Sequence, residues 1–151
     1  MPHQKMQPSL EIDAFDDFSE TVDKLVALNI ARRASFGNEI IPAFGNTYWA
    51  SEFCTVHVDI GRRSGKSRYI GTRATKDAIV IIHLMSLVKH HPAYKAAAGV
   101  FTKEQILSGA ARDLTFSMVY IDEPGFFDHE ELRSIYQSLS GTERTFVLLG
   151  K

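Results

Sequence analysis

The chain has 151 residues, 44% of them hydrophobic and 23% charged, enough apolar material for one soluble domain with a real core. Its formal net charge of −1 excludes a global positive field for nucleic acid, so any such contact must come from local basic clusters. Cys54 is the only cysteine, which excludes an internal disulfide framework and a zinc-type cysteine spacing, and fits a reducing cytoplasm.

The N-terminal segment, "MPHQKMQPSLEIDAFDD", lacks the charged start and continuous apolar stretch of a signal peptide. No segment approaches the roughly 20 apolar residues of a membrane span, so no membrane partner is expected. Residues 1–15 read as a flexible tail without periodicity, followed by a single minimal domain over 16–151. From Asp16 to about Ala34, apolar Phe18, Val22, Leu25, Val26, Leu28 and Ile30 mostly keep i, i+3, i+4 spacing, with acids early and Arg32 and Arg33 late, predicting an amphipathic helix. "FGNEIIPAFGNTYWA" then breaks the pattern with Gly37, Pro42, Gly45 and Asn46 and reads as an irregular connection.

"FCTVHVDI" alternates and is β-branched, predicting a strand over 53–60. "DAIVIIHL", "FSMVYID" and "RTFVLLG" are three further strand candidates, the first of them continuous enough to be covered on both faces. Between the runs lie helix candidates: "GKSRYIGTRA", "MSLVKHHPAYKAAAGVF" interrupted at Pro92, "TKEQILSGAARD" and "DHEELRSIYQSLS". Strands alternating with helices imply an α/β fold with a mainly parallel sheet.

The polar run after the first strand, GRRSGKS, sits where a phosphate cradle forms: glycines let the backbone curl around oxygens, and a helix N-terminus stands behind them. Gly61, Arg62, Arg63, Ser64, Gly65, Lys66 and Ser67 are the candidate cradle. Lys66 would reach the β and γ phosphates of ATP, and the Ser67 hydroxyl would coordinate Mg²⁺. The strict pattern G-x-x-x-x-G-K-[ST] asks for glycine at position 60, where Ile60 stands and Gly61 follows one position late. About 55 residues after the lysine, "SMVYIDEP" ends a strand with adjacent acids. Asp122 can hold Mg²⁺ and Glu123 can orient an attacking water, and both fall at the C-terminal end of a strand, where parallel sheets bind ligands.

"IGRRSGKS" and "MVYIDEP" resemble the Walker A and Walker B motifs of P-loop NTPases that carry an added catalytic glutamate. The arginine-rich loop is most similar to that of the ATPase domain of phage large terminases, the DNA-packaging motors, whose Walker A often lacks its first glycine. The resemblance covers roughly residues 50–151. It implies a three-layer sandwich in which the strand after Walker B inserts between the Walker A and Walker B strands, giving the order 1-4-3-2 by chain appearance. It further implies ATP hydrolysis with Mg²⁺, Lys66 and Glu123 as catalytic groups, and Arg62 at the position of a cis-acting arginine finger. A neighbouring subunit, another protein, or a DNA or RNA track would complete the site, in a bacterial or phage-infected cytoplasm.

Two other functions compete. A nucleotide-binding regulator would keep the loop without efficient turnover, and the chain's end one strand after Walker B favours it. A small-molecule P-loop kinase would need an arginine-rich lid after Asp122, where Arg133 and Arg144 are isolated.

Several residues have bland readings. His90 and His91 read as an exposed helix end, and His57 and His83 as strand histidines without function. Asp128 and Glu131 form a capping box. Phe126 and Phe127 read as core, with an exposed docking patch as the alternative.

Overall fold

A computed structural model describes residues 2–61, 65–83, 92–141 and 143–151, with the backbone alone at 2–13, 92 and 93. Helices α1 (Pro2–Arg33), α2 (Gly37–Phe44) and α3 (Asn46–Phe53) precede β1 (Thr55–Val58) and α4 (Lys66–Arg73). Then come β2 (Ala78–Ile81), a 3₁₀ turn at Pro92–Ala96, β3 (Gly99–Phe101) and α5 (Lys103–Leu107). The chain continues through β4 (Met118–Asp122), a 3₁₀ turn at Pro124–Phe126, α6 (His129–Leu139) and β5 (Thr145–Leu149).

All strand pairs are parallel, in the order β1-β5-β4-β2-β3. The expected four-strand order 1-4-3-2 is thereby corrected, because a fifth strand pairs with β2 at the sheet edge. That strand was read as part of a helix: the alanines before it favour helix, and three residues are too short to show a period of two. Gly99 leaves room there for the Phe101 ring, which a Cβ would meet at 2.5 Å and displace. β5 lies between β1 and β4, with Val147 opposite both Val56 and Tyr120.

The near-continuous apolar strands are explained by two cores, one on each face. Ile79, Ile81, Val119, Ile121, Phe146 and Leu148 pack with Ala50 of α3, Ile106 of α5 and Ile135, Tyr136 and Leu139 of α6. The alternate residues Ala78, Val80, Tyr120, Val147 and Leu149 pack with Phe18 and Val22 of α1 and Tyr69 and Ile70 of α4. The result is a helix–sheet–helix arrangement in which successive side chains of one strand serve opposite cores. Phe146 is fully buried with its ring centroid 4.8 Å from that of Tyr136. Phe146→Ala should therefore cost about 3–5 kcal/mol of stability, read as a lowered urea midpoint.

Three local expectations are corrected. The helix expected from Asp16 begins at Pro2, a residue whose fixed φ suits a first helical position. The segment read as irregular holds α2 and α3, separated by Gly45 at φ +90°; Pro42 is accommodated inside α2. The first strand is shorter than 53–60, and β2 ends at Ile81, so His83 lies beyond it, ring-stacked on Phe126 at 3.8 Å between centroids. Of the phenylalanine pair, Phe127 is buried and Phe126 is 60% exposed. The Asp128–Glu131 capping box is present. His90 and His91 lie outside the described residues. Among the described residues no helix is long and apolar enough to cross a membrane.

Candidate functional site

β1 and β4 end on the same side of the sheet, with β5 between them. The helix after β1, α4, packs on one face and the helix after β4, α6, on the other, so the chain diverges around a crevice at the strand C-termini. Such a switch point is where open parallel sheets bind ligands. A cavity of about 760 Å³ opens there, in the range of small-molecule sites. Asp59, Gly61, Gly65, Lys66, Ser67, Arg68, Glu123, Gly125, Phe126 and Lys151 line it.

The wall from β1 is built by a tight turn. Asp59 accepts a hydrogen bond from the Gly61 N–H at 3.1 Å, and Gly61 takes φ +95°, open to glycine without strain. Gly65 takes φ +87° at the N-terminus of α4, where no side chain caps the helix and its first N–H groups face the turn. A Cβ on Gly65 would lie 2.6 Å from the Phe15 ring, and the Arg68 guanidinium sits 3.9 Å from that ring's centroid. Phe15, which the sequence places in the tail, therefore packs against Gly65 and Arg68. Arg62, Arg63 and Ser64 lie outside the described residues, so the finger position and three of the seven cradle residues are not part of this geometry.

Lys66, the first residue of α4, is only 8% exposed, and its Nζ pairs with Glu123 Oε1 at 3.0 Å. A cation this deeply buried requires an anionic partner. Glu123 is the one non-glycine with positive φ among the described residues, at φ 54° and ψ 68°. This conformation costs about 1–3 kcal/mol and is held by its N–H donating to the Leu149 carbonyl at 3.0 Å. Gly150, after β5, leaves the room: a Cβ there would stand 2.5 Å from Glu123 Oε2. The backbone turn thus directs the carboxylate toward α4.

One residue earlier, Asp122 Oδ2 accepts hydrogen bonds from Ser67 Oγ at 3.1 Å and from the Tyr94 hydroxyl at 2.7 Å. Burial and the adjacent Asp122 charge push the Tyr94 phenol well above its ordinary pKa, so it stays protonated and donates. A serine hydroxyl beside a carboxylate supplies the hard oxygen donors that Mg²⁺ takes, with water and phosphate completing its octahedron. Among the described residues no cluster of three or more His, Cys, Asp or Glu offers an all-protein metal cage. The Ser67 hydroxyl and the Asp122 carboxylate are the donors that would hold Mg²⁺ at this site.

Lys66, Ser67, Asp122 and Glu123 are brought together from positions more than 50 residues apart in the chain. Phe15, Tyr94, Gly150 and Lys151 join them, and sequence reasoning missed all four. Gly150 alone left a signal, as a glycine closing an apolar strand at the same end of the sheet as Asp122. His57 bonds the Gly150 carbonyl through Nε2 at 2.7 Å and so supports this turn from β1. No protein-family model matches the chain, and no curated protein matches it.

Proposed function

We propose that this protein is a P-loop NTPase of the class with an added catalytic glutamate, binding ATP with Mg²⁺ and hydrolysing it. What carries the reading is the convergence of Lys66, Ser67 and Glu123 in one crevice at the C-terminal ends of β1 and β4, with Asp122 bonded to Ser67 beside it. In this scheme the Lys66 ammonium exchanges Glu123 for the β and γ phosphates, and the α4 N–H groups receive phosphate oxygens. Ser67 and Asp122 would hold Mg²⁺, which would supply charge neutralisation to the phosphates. Glu123, freed from Lys66, accepts a proton from a water whose oxygen bonds to the γ phosphorus. The bond from that phosphorus to the β–γ bridging oxygen breaks, and ADP leaves with the electron pair. The similarity to phage large terminases extends the proposal to nucleic-acid handling such as DNA packaging. A second copy of the chain, another protein, or a DNA or RNA track would then complete the site, with Arg62 as the finger.

The second reading, a nucleotide-binding regulator without efficient turnover, is favoured by the 3.0 Å Lys66–Glu123 pair, which occupies the carboxylate that hydrolysis requires. Calorimetry with a non-hydrolysable ATP analogue and Mg²⁺ tests the shared core of both readings: saturable binding is expected, and its absence overturns them. Phosphate release with and without DNA or RNA separates the two.

A further inference from the structure

We propose that Tyr94 is a positioning residue for Mg²⁺ binding, fixing the Asp122 carboxylate so that one of its oxygens is presented to the cation. This rests on the ATP·Mg²⁺ reading of the site. No nucleotide-binding pattern in the sequence contains Tyr94. It reaches the site because the turn Pro92–Ala96 packs against α4, which places its hydroxyl 2.7 Å from Asp122 Oδ2.

The arrangement separates the two oxygens of Asp122. Oδ2 receives two donors, from Tyr94 and Ser67, and is thereby committed to holding the side chain in place. Oδ1 receives neither of these bonds and is the oxygen left to a cation or to its bound water. Ser67 can keep its proton on Oδ2 while a lone pair of Oγ turns to the metal, because a hydroxyl is donor and acceptor at once. Tyr94 donates to Asp122 from a fixed position. Its ring is 2% exposed, packed in the core with Tyr120, Val80 and Ile82, so the hydroxyl is carried by a rigid body. Without that hydroxyl, the bond to Asp122 Oδ2 that remains among the described residues comes from Ser67, whose hydroxyl must reorient when the metal arrives. The carboxylate would then present its free oxygen less well, and the loss would appear in metal dependence rather than in nucleotide affinity as such.

Tyr94→Phe retains the buried ring and removes only the hydroxyl. Binding of a fluorescent ATP analogue, titrated with Mg²⁺ at fixed nucleotide, should reach its midpoint at about tenfold higher Mg²⁺ than in the parent, the lower end of the range for outer-sphere variants. Binding of the same analogue in excess chelator should change by less than about twofold, since Lys66 and the α4 N-terminus are untouched. In an Asp122→Asn background the same tyrosine change should leave the Mg²⁺ midpoint where it is, because the carboxylate that Tyr94 positions is already gone. An unchanged midpoint for Tyr94→Phe in a parent that binds Mg²⁺·ATP overturns this inference alone. Equal weakening with and without Mg²⁺, or a large fall in melting temperature, makes Tyr94 merely structural and also overturns it. A parent that binds no nucleotide at all overturns instead the reading on which the inference rests.

Discussion

Lys66→Ala should weaken ATP binding at least about 100-fold by calorimetry, the scale of about 3 kcal/mol that follows loss of one partner from a buried ionic contact. Two effects add. The variant removes the nearly buried ammonium at the start of α4, and it leaves the Glu123 carboxylate without its 3.0 Å cation in the crevice that would admit a polyphosphate under the proposed function. Arg68 and Lys151 also line the cavity, but both are exposed, and charges in high dielectric substitute poorly for a desolvated one. The variant must melt close to the parent for the comparison to hold. Equal ATP affinity in parent and variant would sink the phosphate-loop reading.

The parts of this geometry that were legible from sequence share one property: each is carried by a run of residues contiguous in the chain. The segment Ala78–Ile81 is β-branched at three of its four positions and wholly buried, so composition alone marks a strand covered on both faces, while its inner place in the sheet depends on β3 pairing beyond it. Gly61 and the acids Asp122 and Glu123 sit at or just past strand ends, where the change from apolar to polar sequence marks the boundary, and Gly65 marks the start of α4. What stayed hidden depends on contacts between distant segments. Tyr94 falls in an alanine-rich stretch whose local preference is helical, and only packing against α4 turns it toward Asp122. β3 exists because Gly99, Val100 and Phe101 find β2 as a template, which overrides that same preference. Phe15 belongs to a segment rich in polar residues and prolines, and its place against Gly65 and Arg68 follows from where α1 meets the start of α4. α2 and α3 were hidden by their own glycine and proline punctuation, because helices of eight residues draw their stability from packing more than from propensity.

Glu123→Gln should bind ATP at least as well as the parent yet hydrolyse it at least about 100-fold more slowly, the scale expected for loss of a general base. The substitution keeps the shape of the side chain and an amide oxygen to accept a hydrogen bond from Lys66, while removing the charge and the basicity. The left-handed backbone at φ 54° and the bond from the Glu123 N–H to Leu149 are main-chain features, so the amide should occupy the position of the carboxylate. Binding should not suffer, because phosphate need no longer compete with an anion for the 3.0 Å contact to Lys66. Single-turnover phosphate release at saturating Mg²⁺·ATP isolates the chemical step from assembly and product release. A parent with no turnover above background, even with nucleic acid and at concentrations that permit assembly, would favour the regulator, with the Lys66–Glu123 pair persisting as a lock. A parent and variant that hydrolyse ATP equally fast would remove Glu123 from the chemistry while leaving the binding site of Lys66, Ser67 and Asp122 intact.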